Sequence, residues 1–486
     1  MSTRMNDGST GAGMTEPGTM EQRVSDIIEA KRDTLIELSD TIWGIPETRF
    51  EEFQSAELLC QALEQEGFAV ERGVAGIETA FIGTFGSGAP VVAVLGEFDA
   101  LSGLSQEGGS AVKSPVQKGG NGHGCGHNLL GTASLAAVIA LKQVMEEEGI
   151  PGTVRYYGCP GEEGGSGKTY MVRAGLFDDV DFSVTWHPMG HNGIMAANSL
   201  ANYQVYYRFR GISSHAAASP HLGRSALDAV ELMNVGVNYL REHVIPEARM
   251  HYAVTNTGGR SPNVVQAEAD VLYLIRAPKV SQVEEIYQRV CNIARGAALM
   301  TDTTVEIVFD KACSNLVQNK TLEDVMQEKF ERLGLPDYDT DELAFAAALR
   351  ATLSDAEKNS VKDPAIRNKD IADRISPPEE LSVAASAGNG STDVGDVSLV
   401  TPTAQCNTAC WVVGTTAHTW QVVSIGRTSI AHKGMLHAGK VMAATALEVM
   451  QSPVLIEQAK AELKQRLGAE KYVSPIPPEV QPAASR

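Results

Sequence analysis

Positive charge is what this sequence lacks most plainly: 40 Lys and Arg stand against 60 Asp and Glu, a formal net charge of −20. A phosphate backbone or an anionic bilayer would repel such a chain, which excludes nucleic acid and membrane surfaces as its main partners. No run of about 18 apolar residues occurs, the length a membrane-crossing helix needs. Cysteine is sparse, odd in number and scattered (Cys60, Cys125, Cys159, Cys291, Cys313, Cys406, Cys410), which does not describe a disulfide framework. Cys406 and Cys410 have no second pair to join and read as buried thiols. Residues 1–20 are rich in Gly, Ser, Thr and Met without an apolar core of signal-peptide length, so they read as a disordered leader to a cytoplasmic protein.

What is present is an ordinary globular composition, 43% apolar and 21% charged over 486 residues, enough for two or three domains. Helical spacing runs from Met20 through Val24, Ile27, Ile28, Leu35 and Ile42, and resumes from Glu51 to Glu66. Strands follow at Glu78–Phe85 and at Val91–Leu95, the second a continuous run suited to burial on both faces of an α/β sheet. Thr153–Tyr157 and Asp181–Trp186 are two more, with a buried helix over Leu129–Leu141 between. From about Asn198 the order changes to β-α-β-β-α-β, the ferredoxin-like split unit, occupying 198–315 as an insertion. The first domain, 21–197, then resumes over 316–455, and 456–486 remain as a tail. Within the resumed part, 354–386 reads as a long polar excursion, Trp420–Ser424 as a strand and Met435–Met450 as a helix.

Chemistry gathers where those strands end. Asn121-Gly-His-Gly-Cys-Gly-His127 places a thiol and imidazoles in a glycine turn ahead of a helix, and Cys125 with His127 could share a zinc, manganese or similar ion. Val91–Leu95 delivers Glu97 and Asp99, the next strand delivers Glu162 and Glu163, and the next His187; sites in open α/β sheets form at such carboxyl ends. Two adjacent carboxylates repel unless a cation lies between them, so one of Glu162 and Glu163 suits a ligand and the other a general base. Among the histidines, His127, His187 and His432 are the best ligand candidates, and His123 falls outside the first coordination sphere. His191, His418 and His437 read as structural or solvent-exposed, and a loop presents His215 in the inserted domain. Gly161–Thr169 resembles a phosphate-binding loop only loosely: its spacing is one residue too long, and two glutamates would face the phosphates. No Gly-x-Ser-x-Gly elbow is present, and a nucleophilic role for Cys125 is weaker than metal ligation among so many histidines and glutamates.

In order, Asp99-Ala-Leu, Gly124-Cys-Gly-His127, Glu162-Glu-Gly-Gly165, Trp186-His-Pro188, Gly211-x-x-x-His215-Ala, Ser261-Pro-Asn-Val-Val265 and Ser429-Ile-Ala-His-Lys-Gly434 resemble the amidohydrolase branch of the aminoacylase/carboxypeptidase metallopeptidases. The resemblance spans about 21–450. It implies an α/β catalytic domain with a mixed sheet and helices on both faces, interrupted by a lid and dimerisation domain. It implies two divalent metal ions, manganese or zinc, with Cys125, His127, Glu163, His187 and His432 as ligands. Glu162 would be the general base and Asp99 the orienting aspartate. His215 and Asn263 would bind substrate and oxyanion, across a homodimer in relatives. Glu97 stands where some relatives carry a ligating histidine, so its role stays open, as does the identity of the bridging ligand. The implied reaction is hydrolysis of an N-acyl or aryl amino-acid amide. Dipeptide cleavage, hydrolysis of other aryl conjugates, and a non-catalytic partner subunit of a mixed hydrolase are the alternatives.

Overall fold

The structure, a computed structural model, describes residues 19–195, 198–378, 381 and 390–484. The expected leader lies outside these residues except at its end, where the Thr19 hydroxyl accepts the Gln22 N–H and caps the helix Met20–Ala30. That helix, Arg32–Gly44 and Phe53–Gln65 bury the periodic residues Val24, Ile28, Leu35, Ile42, Leu59 and Leu63.

The chain then lays down β1 (Ala69–Arg72), β2 (Phe81–Ser87), β3 (Val91–Glu97), β4 (Gly152–Cys159), β5 (Phe182–Met189) and β6 (Gly193–Ile194). It crosses to a second unit with β7 (Ala201–Arg210), β8 (Arg249–Asn256), β9 (Glu268–Ala277) and β10 (Thr304–Cys313), and returns for β11 (Thr403–Ala409). The larger sheet has the order β1-β2-β4-β3-β5-β11-β6, with β4, β3, β5 and β11 parallel and the outer strands antiparallel. Every residue of β3 and β11 is buried, as strands sandwiched between layers require. The helices His127–Glu148 and Ser429–Met450 pack together beside β3. The first is apolar and long enough to cross a membrane, but it forms the centre of the domain core.

The smaller sheet, β10-β7-β9-β8, is antiparallel throughout, and the helices Ala226–Leu240 and Val280–Thr301 pack against it. Its core is continuous with apolar residues on the far face of the larger sheet, among them Val91, Ala93, Leu95 and Tyr157. Residues of the helices Gly167–Arg173 and Val394–Ser398 belong to the same cluster, so the two units share one apolar layer.

Four local expectations differ from the structure. Trp420–Ile425 is a helix, because Val422, Val423 and Ile425 are a short apolar run whose period alone cannot separate helix from strand. The last long helix starts at Ser429, not Met435, so His432 lies in its first turn. The boundary at 455 falls inside the helix Pro453–Leu467, which buries Ile456, Ala459 and Leu463. Within 354–386 there is a short helix, Asp355–Asn359, and Ile366, Ile371 and Ala372 join the core; 379–380 and 382–386 lie outside the described residues.

Candidate metal centre

Parallel strands β3, β4 and β5 end side by side, and their last residues and following turns carry Glu97 and Asp99, Glu162 and Glu163, and His187. The Cys125 turn closes over them. Gly126 makes that turn possible: its φ is +83°, and a Cβ there would sit 2.9 Å from Pro188 Cγ.

Asp99 organises the centre. Its Oδ1 is 2.8 Å from His127 Nδ1, and its Oδ2 accepts the Glu163 N–H at 3.0 Å. A carboxylate can only accept here, so His127 carries its proton on Nδ1 and turns Nε2 toward Glu97 Oε2, 3.2 Å away. The same logic applies at His187, whose Nδ1 donates to the Pro188 carbonyl at 2.8 Å and whose Nε2 faces Cys125 Sγ at 3.4 Å. Burial pushes His187 down to about 4, so that nitrogen holds a lone pair at neutral pH.

Three groups of ligand atoms lie mutually within 4.8 Å: Cys125, His127 and His187; Cys125, Glu163 and His418; and Glu97, His127 and Glu162. Glu97 Oε2 and His127 Nε2 are buried and face each other at 3.2 Å without a hydrogen bond among the described residues, and Glu163 Oε1 is buried with only the His418 ring beside it. Buried carboxylate and imidazole atoms crowded at one point with so few hydrogen bonds are costly unless a cation satisfies them, so the donor set fits divalent ions. Burial and the charges of Glu97 and Glu163 raise the Glu162 carboxyl well above its ordinary range, which suits a proton carrier.

The structure thus gathers Glu162, Asp99, Cys125, His127, Glu163 and His187, and it does not bring His432 to them. His432 points the other way from its helix turn, with Nε2 2.9 Å from Asp40 Oδ1. His418 stands beside the cluster instead, Nε2 3.0 Å from Glu163 Oε1, while its N–H donates to the Gly124 carbonyl at 2.8 Å. It follows β11, another parallel strand end, whose polar sequence gives no local signal of a buried strand. His215 and Asn263 sit together, not at the cluster: the Ala216 N–H donates to the Asn263 carbonyl at 2.9 Å, and both side chains are exposed on the smaller unit. His123 is buried and bonds the Ile42 carbonyl, outside the ligand groups.

Three cationic residues also escaped the sequence reading. Lys168 is fully buried between Glu97 Oε1 (2.6 Å) and Asp393 Oδ1 (2.7 Å), so Glu97 offers only its other oxygen to the centre. Burial alone would lower the Lys168 pKa, but Asp393 and Glu97 hold it well above the ordinary range. Arg276, on β9, helps wall a cavity of about 480 Å³ above the cluster, and its Nε has no partner among the described residues. Asn202 and Lys311 join it on that wall.

A metal-binding hydrolase of amide bonds is the class that this fold and donor set define, and the chain belongs to peptidase family M20/M25/M40, whose model matches residues 93–477. It is 53% identical over 474 residues to the B subunit of p-aminobenzoyl-glutamate hydrolase from Escherichia coli (strain K12), covering 95% of this chain and 98% of that one. It is 29% identical over 482 residues to a Mus musculus Xaa-Arg dipeptidase, covering 94% and 97%. Among solved structures, a dinuclear metal-binding M20 peptidase from Bacillus subtilis superposes with a TM-score of 0.53 at 16% identity, over 87% of this chain and 99% of that one.

Proposed function

We propose that the chain hydrolyses the amide of an aryl amino-acid conjugate, p-aminobenzoyl-glutamate being the model substrate. The observation that carries this is the set of buried ligand atoms lying within 4.8 Å of one another beneath a cavity that Arg276 also lines. Cys125, His127, Glu163, His187 and His418 would hold two divalent ions, manganese or zinc, with Glu97 available as a further oxygen donor. Those ions would supply a water of lowered pKa and polarise the amide carbonyl. Asp99 keeps His127 in the tautomer that leaves Nε2 free. Glu162 takes the proton of the attacking water and delivers it to the leaving nitrogen as the C–N bond breaks. Arg276 pairs with a carboxylate of the amino-acid half, which anchors the amide over Glu162.

His215 and Asn263 do not line this cavity in their own chain, which favours a dimer. In that reading the smaller unit is a lid, and a second copy, or a related partner chain, delivers the two residues to stabilise the oxyanion. The Escherichia coli relative is named as one subunit of its hydrolase, which supports the mixed assembly. All seven cysteines are free and buried, in keeping with a cytoplasmic setting.

The test is turnover by the purified chain, with manganese and with zinc, of p-aminobenzoyl-glutamate, N-acyl amino acids and dipeptides. Glu162→Gln should retain metal and lose roughly 10²–10⁴ in rate; wild-type turnover by that variant would refute the assignment. Activity appearing only after addition of a partner chain would favour the mixed assembly.

A further inference from the structure

Beside the metal centre a second cavity of about 340 Å³ opens, and Arg276 does not line it. It shares Met189, His191, Leu381 and Ala417 with the main cavity, so the two are continuous. Its walls are mostly apolar: Trp411, Val413 and Met189 come from the catalytic sheet and the loop that follows it, and Val361 and Ile366 from the 354–378 excursion. Asp363 offers it little free charge, since its Oδ2 accepts the Ser376 hydroxyl at 2.6 Å and its Oδ1 the Ala365 N–H at 2.8 Å. Lys362 stands exposed where the two cavities join.

The distance to the chemistry is short. The His187 and Trp411 rings meet edge to face, centroids 6.2 Å apart at 88°. Trp411 Nε1 lies against the Gly126 turn and is buried without a partner among the described residues, and Thr415 Oγ1 is another such atom on the same wall. An acyl group whose carbonyl sits at the cluster would therefore direct a ring bonded to that carbonyl into this cavity, whose inner wall is backed by Trp411, itself only 1% exposed. Carboxylates on the other half of the substrate are drawn instead to Arg276 and Lys311, which line the main cavity and not this one. Charge on one side and apolar surface on the other give the substrate one direction of entry.

We infer that this second cavity is the binding pocket for a flat, uncharged aromatic acyl group, and that Val361 of the excursion and Trp411 set the preference for such groups over small acyl groups. The inference rests on the amide-hydrolase reading above and deepens it. A pocket of this size, apolar with a few polar atoms, has the usual character of a small-ligand subsite, and Met189 can adapt to an aromatic edge.

The experiment measures binding apart from turnover. Full-length Glu162→Gln, loaded with manganese, is titrated calorimetrically with p-aminobenzoyl-glutamate and with N-acetylglutamate. The titration is repeated after adding Val361→Trp, which fills the pocket from its partly buried rim, and after adding the milder Val361→Ala. The aryl ligand should bind at least about ten-fold tighter than the acetyl ligand, the tryptophan variant should erase that preference, and N-acetylglutamate affinity should change less than about three-fold. Val361→Ala should keep the preference. Equal affinities in the parent, or parallel losses for both ligands in a tryptophan variant whose circular dichroism and metal content are unchanged, would overturn the pocket. If Val361→Trp fails to fold, quenching of tryptophan fluorescence by p-aminobenzoate in the parent decides, and no quenching overturns the inference. Preferential aryl binding by a wild-type chain that hydrolyses neither ligand, alone or with a related partner chain added, would instead overturn the amide-hydrolase reading and leave the pocket standing.

Discussion

Replacing His418 and His432 in turn separates the two views of the fifth ligand. The His418 side chain is half exposed, at 51%, and contributes little packing. His418 also has φ +63°, so His418→Asn is the informative change, because asparagine tolerates the left-handed region and lacks the imidazole. Apo-protein stability should then change by no more than about 0.5 kcal/mol. Metal affinity should fall much further. Losing a residue that merely orients a ligand costs roughly 10–100-fold, so losing the ligand itself should cost at least that, about 1.4–2.8 kcal/mol of binding. His432→Ala reverses the pattern. It removes a buried ring and the 2.9 Å contact with Asp40 and should cost about 2 kcal/mol of stability, with two metal equivalents retained. The assay is a competition titration of manganese or zinc against a chromogenic chelator, paired with thermal unfolding of the metal-free protein. Wild-type metal affinity in His418→Asn, or loss of a metal equivalent in His432→Ala, would refute the placement of the site.

The remaining predictions concern the frame around the centre. Arg49 makes a buried bidentate pair with Asp310 at 2.9 and 3.0 Å, so Arg49→Leu strands a fully buried carboxylate and should cost about 3–5 kcal/mol in denaturant unfolding. Gly126→Ala forces a Cβ against Pro188 at positive φ and should cost about 1–3 kcal/mol, with weakened metal binding in the same titration. Burial and Lys440 push His437 down to about 3, below its unfolded value, so the unfolded chain binds the extra proton first. Its contribution to stability is therefore complete above about pH 6.5 and is lost as the pH falls toward 3, by up to about 1.4 kcal/mol per pH unit. His437→Leu should flatten that part of the stability profile, measured by urea unfolding from pH 7 to 4.

Much of the centre was legible because its strands are locally unambiguous. Val91–Leu95 can only be a buried strand, and once it ends at Glu97 the neighbouring strand ends must carry their residues to the same edge. β11 gave no such signal. Its Thr-Ala-Gln-Cys-Asn-Thr-Ala is polar yet wholly buried, with partners found only in the fold, such as the Gly434 carbonyl that accepts from Thr408. Without β11 the loop carrying His418 has no anchor, and an exposed histidine in a Thr-rich turn looks incidental. Arg276 was hidden differently. It occupies the less buried face of an alternating strand, and only the meeting of two sheets turns that face into a cavity wall.

Sequence alone therefore determined the class of chemistry: a thiol, imidazoles and paired carboxylates at successive strand ends, in an α/β domain split by a β-α-β-β-α-β insertion. Those features are local, set by side-chain period, glycine turns and residue type within a few positions. Tertiary structure decided which histidine of the late segment stands at the centre, what holds Glu97, and where the cavity gains its cation and its apolar annex. Each of these depends on residues far apart in the chain, His432 with Asp40 and Lys168 with Asp393 among them. Such pairings are set by the packing of whole elements, which a short stretch of sequence does not encode.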